Sequence, residues 1–211
     1  MNKLLTTFSA VMLLAGAVNV QAAGDAEAGK AKTAVCAGCH GADGNSMVPS
    51  FPKLAGQVEQ YTIKQLQDMK SGERNVPQMA AFLPGLSDQD IKDIAAYYAS
   101  QTPSVGSADP ELVELGEKLY RAGNAESGVT ACAGCHGAAG KGMPAAGFPL
   151  LSGQHADYIE SQLKAFRAAG RSDETGPYRT NDGEGMMMRA TAARLTDPEI
   201  KALSSYINGL Y

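Results

Sequence analysis

The hexapeptide "CAGCHG" is written twice in this chain, at Cys36–Gly41 and again at Cys132–Gly137. The copies stand 96 residues apart and together use all four cysteines. The register continues on both sides. "FPKLAGQVEQYTIKQL" from Phe51 is answered by "FPLLSGQHADYIESQL" from Phe148, with Phe, Pro, Leu, Gly, Gln, Tyr, Gln and Leu in matching places at an offset of 97. "LSDQDIKDIAAYYAS" from Leu86 is answered by "LTDPEIKALSSYING" from Leu195 at an offset of 109. The second copy therefore carries about a dozen extra residues around "SDETGPYRTNDGEG". Two units of roughly 80 to 100 residues point to duplicated domains rather than a solenoid.

Between the units lies "QTPSVGSADP", residues 101–110, which is small, polar and without apolar periodicity, as a linker is. We place one domain at 23–103, the linker at 104–110 and the second domain at 111–211. Both units read as helical, so the fold class is all-α. Ser87 and Asp90 form a capping box, and Ile91, Ile94, Ala95 and Tyr98 then fall on one face. Thr196 and Glu199 repeat the device, with Pro198 in the first turn and Ile200, Leu203 and Ile207 on the face. "YTIKQLQDMKSG" and "YIESQLKAFRAAG" are the middle helices, and "DAEAGKAKTAV" and "PELVELGEKLYRAG" precede the hexapeptides. Such small, glycine-rich units have thin apolar cores and call for a staple.

The N-terminus sets the compartment. Lys3, an apolar run from Phe8 to Val18, and Val20-Gln21-Ala22 make a secretory signal, cleaved after Ala22 or one residue later. The run is too short to span a bilayer comfortably. The mature chain is thus expected in the periplasm, an oxidising space where cysteine usage is informative.

Cys-x-x-Cys followed at once by His is the attachment sequence of c-type haem. Each thiol adds to one vinyl group of the porphyrin, the residues between form a helical turn, and the next imidazole is aimed at the iron. Cys36 and Cys39 with His40 would hold one haem, and Cys132 and Cys135 with His136 another. A disulfide does not explain the repeated His. Zinc-ribbon pairs sit about 15–20 residues apart, and a thioredoxin-like motif needs a βαβ setting. Pro52 and Pro149 follow the two histidines by 12 and 13 residues, each opening Pro-x-Leu-x-Gly. A carbonyl near the proline would accept the Nδ1 proton, and Leu54 and Leu151 would pack on the porphyrin; an ordinary turn is the alternative.

The sixth iron ligand needs another source, because only His155 remains after His40 and His136, and it aligns with Val58. His155 is expected to be an exposed residue at a helix start. Methionine is the alternative, and Met/His ligation raises the reduction potential. The first copy offers Met47, Met69 and Met79; the second offers Met143, Met186, Met187 and Met188. Met79 and Met188 each stand eight residues before their N-cap, Ser87 and Thr196. Met47 and Met143 lie too close to the proximal His to reach the opposite face. Met79 and Met188 are the expected ligands, with Met186 and Met187 as packing residues.

These residues resemble class I cytochrome c, and the tandem with "FPKLAGQ", "FPLLSGQH" and "RTNDGEGMMMR" resembles the dihaem cytochrome c4 family across the mature chain. The resemblance implies two His/Met haem c domains facing each other and electron transfer in a bacterial periplasm towards terminal oxidases. The residues point the same way: a saturated iron has no open position, and no acid–base constellation stands out. A one-electron carrier and not an enzyme is therefore expected, a monomer passing electrons from a respiratory complex donor to a terminal oxidase acceptor. A dihaem peroxidase-like enzyme and an electron-entry subunit of a larger redox complex are the alternatives. The net charge of −4 speaks against nucleic acid. Residues 24–109 carry −3 and residues 110–211 carry −2, so no strong asymmetry marks a docking end. Membrane association is expected only peripherally, through partners.

Overall fold

The computed structural model describes residues 24–211; the signal expected at 1–22 lies outside the described residues. The first copy contains α1 (Ala26–Lys32), running into a 3-10 turn at Thr33–Val35, then α2 (Ala37–His40), α3 (Glu59–Ser71) and α4 (Asp88–Ala99). The second contains α5 (Val113–Ala122), α6 (Ala133–His136), α7 (Ala156–Gly170), α8 (Met187–Ala192) and α9 (Asp197–Gly209). Among the described residues there is no strand, only isolated bridges at Asn124–Val129 and Met143–Phe148. No helix among them is long and apolar enough to cross a membrane.

Local chemistry sets the long helices. Ser87 accepts from the Asp90 amide while the Asp90 carboxylate accepts from the Ser87 amide, and Thr196 and Glu199 do the same. Each such cap stabilises its helix by about 1 kcal/mol. Asp25 caps α1 by accepting from Glu27 and Ala28. Gly72, at φ 86°, ends α3 in the left-handed region, where a side chain is disfavoured.

In each copy the first helix crosses the last, α1 on α4 and α5 on α9. A glycine makes each crossing close. A Cβ on Gly29 would fall 2.0 Å from the Asp93 carbonyl oxygen, and one on Gly116 2.4 Å from that of Ala202. Lys32 anchors the first crossing with ion pairs to Asp90 and Asp93, and the Asp25 amide donates to Asp93. Two separate cores result. Leu66, Leu83, Ile91, Ile94 and Tyr98 form the first, with Cys36, Leu54 and Met79 against it. Leu119, Tyr120, Leu195, Ile200, Leu203 and Ile207 dominate the second, with Cys132 and Leu151 against it.

Residues 101–110 contain no regular element but are pinned along their length. Gly106 donates to the Asn208 carbonyl, Ser104 to the Asn45 side chain and Asp109 to Ser205. Met188 stands in the short helix α8, which is not among the helices expected from the sequence. Met186 precedes that helix at φ 46° and offers no capping side chain, so no local signal marks its start.

Candidate functional site

Each hexapeptide folds as one helical turn. The His40 amide donates to the Cys36 carbonyl at 3.0 Å, and the His136 amide to that of Cys132 at 2.9 Å. Gly41 and Gly137 end the turns at φ 80° and 79°, backbone that glycine adopts freely. The turn sets Cys36 and Cys132 against the two cores, leaves Cys39 exposed, and buries the histidines, which are 7% and 6% exposed. All four thiols are unpaired. Among the described residues no three His, Cys, Asp or Glu side chains are grouped to hold a metal ion.

The proline segments do hold the imidazoles. His40 Nδ1 lies 2.9 Å from the Pro52 carbonyl oxygen, and His136 Nδ1 lies 3.1 Å from that of Pro149. A carbonyl only accepts, so each Nδ1 carries the proton and each Nε2 keeps a free lone pair. Burial pushes both imidazoles below their ordinary value, with the proline carbonyl opposing it, so both rings are neutral at pH 7. Phe51 and Phe148 tilt against the two rings at centroid distances of 6.4 and 6.2 Å. A neutral, oriented imidazole with a bare Nε2 is what an iron ligand requires.

In the first copy an apolar cavity is lined by Cys36, Leu66, Met79, Phe82, Leu83 and Ile94. Met79 thus shares a cavity with one attachment cysteine. Met69 packs half-buried on the same core, whereas Met47 is 90% exposed. In the second copy Met188 is half-buried, while Met186 and Met187 are 49% and 51% exposed. For Met188 the distinction from its neighbours is burial alone. In the first copy two thiols, a neutral imidazole, an apolar cavity and a thioether fit a covalent haem; in the second the two thiols and the oriented imidazole recur, with Cys132 and Leu151 against the apolar core.

The two sites meet along a polar seam. Gln57 of the first copy and Gln154 of the second each clamp the other copy's backbone. Gln154 Oε1 accepts from the Lys53 amide at 2.8 Å and its Nε2 donates to the Lys53 carbonyl at 2.9 Å. Gln57 Oε1 accepts from the Leu150 amide at 2.8 Å and its Nε2 donates to the Leu150 carbonyl at 3.0 Å. Beside them α3 faces α7. Arg74 donates to Gln65, Tyr158 and Gln162, and Arg179 donates to Gln162, Tyr61, Gln65 and Asn181. Asn181 continues to Asp68. Burial pushes the Tyr61 phenol up, but the two guanidiniums outweigh it and hold the phenol below its ordinary value.

Sequence reasoning missed this seam, although its signal was present: Gln57/Gln154, Tyr61/Tyr158 and Gln65/Gln162 are polar pairs at the 97-residue offset. Arg179 and Asn181 come from the extra residues of the second copy. His155 also departs from expectation. It is half-buried, and its Nε2 donates to the Ser46 carbonyl of the first copy at 2.8 Å.

The family model described as cytochrome c matches residues 26–102 and again 113–210. Cytochrome c4 of Pseudomonas aeruginosa is 53% identical, the match covering all of both chains. Cytochrome c4 of Azotobacter vinelandii is 50% identical, again over all of both chains. The crystal structure of reduced recombinant cytochrome c4 from Pseudomonas stutzeri superposes with a TM-score of 0.84 at 54% identity, covering 90% of this chain and all of that one.

Proposed function

Because the chain belongs to the cytochrome c family, carries two of its domains and follows the cytochromes c4 over its full length, we propose that it is a periplasmic electron carrier of a respiratory chain. It holds two covalent haems c. In our reading Cys36 and Cys39 tether the first and Cys132 and Cys135 the second. His40 and Met79 would hold one iron, and His136 and Met188 the other. The domains are 23–103 and 111–211 about a linker at 104–110, after a signal at 1–22. When bound, each haem supplies a one-electron ferric/ferrous couple. The chain does the rest: the Pro52 and Pro149 carbonyls orient the imidazoles, the apolar lining excludes water, and the thioethers would leave the irons no open place for a substrate. The donor is a respiratory complex and the acceptor a terminal oxidase. Both lobes are mildly acidic, so partners with basic rims suit it, and added salt weakens the encounter. The protein works as a monomer, with membrane association only through partners.

The observation that carries this reading is the repeated Cys-x-x-Cys-His turn with its imidazole held on a proline carbonyl. Reductive titration of the holoprotein tests it. Two closely spaced one-electron steps, complete with ascorbate, are expected, because charge on one iron raises the energy of charge on the other. Peroxide turnover at enzymic rates, roughly 1–1000 per second, would replace the carrier with a peroxidase.

A further inference from the structure

The glutamine clamps end on particular peptide groups. The Lys53 amide that donates to Gln154 Oε1 belongs to the same peptide unit as the Pro52 carbonyl, which accepts from His40 Nδ1. In the second copy the Leu150 amide that donates to Gln57 Oε1 shares its peptide with the Pro149 carbonyl, which accepts from His136 Nδ1. Each copy therefore ends a hydrogen-bonded chain that runs glutamine, peptide, proximal histidine, and each chain crosses the seam. We propose that Gln57 and Gln154 are positioning residues that act across the domain boundary, each setting the electron donation of the other copy's histidine and hence the potential of the other copy's iron. This rests on His40 and His136 being iron ligands.

The physics has three steps. An acceptor on a peptide N–H polarises the unit and makes its carbonyl a better acceptor, by roughly 10–30% per bond in a chain. A better acceptor on Nδ1–H raises the basicity of the imidazole. A more basic imidazole donates more charge to iron, favours the ferric state and lowers the potential. Both glutamines are 6% exposed, so water does not compete for the bonds. Each Oε1 also accepts from the amide that follows it, Val58 for Gln57 and His155 for Gln154, which fixes which end of the side-chain amide is oxygen. Lys53 Nζ holds the Gly153 carbonyl across the same boundary, so the peptide is braced from both sides.

The experiment uses the intact dihaem protein with Gln154→Leu and Gln57→Leu. Two quantities are read: the Nδ1–H proton shift of each proximal histidine in the ferrous protein, and the potential of each haem. For Gln154→Leu the His40 proton is expected to move upfield and the first haem's potential to rise, with His136 and the second haem unmoved. Gln57→Leu should give the mirror result. Gln154→Glu, with a stronger acceptor, should move the first haem the other way. Shifts confined to the variant's own copy, or equal shifts in both, overturn the proposal, because a glutamine that only holds the domains together would act on both haems alike. Should a Leu variant fail to assemble, amide exchange of the wild type decides: the Lys53 and Leu150 amides must be protected, and loop-like exchange overturns the proposal. Loss of His/Met spectra at either iron in the wild type would instead sink the ligand assignment, a separate failure.

Discussion

Replacing Arg179 with Ala should loosen the seam without dismantling either core. Arg179 is 7% exposed and donates to Asn181 Oδ1 at 2.8 Å, Gln162 Oε1 at 2.8 Å, Gln65 Oε1 at 2.9 Å and Tyr61 Oη at 3.1 Å. The two glutamines keep Arg74 as a donor, so the loss falls on Asn181 and Tyr61. A buried acceptor left bare costs about 1–3 kcal/mol, and half-buried Tyr61 can recruit water for less. The guanidinium also sits 4.4 Å from the centre of the Phe166 ring, a contact contributing about 1 kcal/mol. Removing a buried charge returns part of its desolvation. The net loss is roughly 3 kcal/mol, or about a hundredfold in the docking equilibrium. Urea unfolding combined with amide exchange at Lys53 and Leu150 measures it. Seam amides should lose protection well before those of α4 and α9. Arg74→Ala should be milder, because it leaves Tyr158 as the one group without its donor. A variant within about 0.5 kcal/mol of wild type, with seam amides unchanged, would refute the seam energetics.

Met188→Ala should abolish the near-700 nm Met-to-iron band of the second haem while Met187→Ala keeps it; reversed effects would overturn the repeat register. Gly116→Ala should destabilise the second domain by roughly 3 kcal/mol in denaturant unfolding, since a Cβ 2.4 Å from the Ala202 carbonyl forces α5 off α9. Acid should attack the α1–α4 crossing first. The Asp25 amide, Lys32 and Gln89 pull the Asp93 carboxyl down to about 2. A depressed folded value means stability present above the unfolded value of about 3.9 and lost as pH falls towards 2. Helix content followed by circular dichroism should show that loss between about pH 4 and 2, and Asp93→Asn should remove that part of the pH dependence.

What the sequence disclosed and what it hid divide along physical lines. Helix caps are local, so Ser87–Asp90 and Thr196–Glu199 could be read directly, and the apolar faces beyond them are the buried faces of α4 and α9. The attachment turns were equally local. The seam depends on contacts spanning 84 to 118 residues, which no local pattern encodes. Its polar pairs were visible as repeat matches, but recurrence alone does not separate a residue kept for its own domain from one kept for the other. His155 shows the same limit: it has no counterpart in the first copy because its partner, the Ser46 carbonyl, lies in that copy. Helix α8 was hidden because it opens on a left-handed methionine rather than on a cap.

The proposed ligation leaves neither iron an open position, so both serve only to pass electrons. Carbon monoxide titration of the fully reduced holoprotein at neutral pH tests it most directly. An unchanged haem spectrum at both sites is expected up to saturating gas. Stoichiometric carbon monoxide binding at either haem would contradict it.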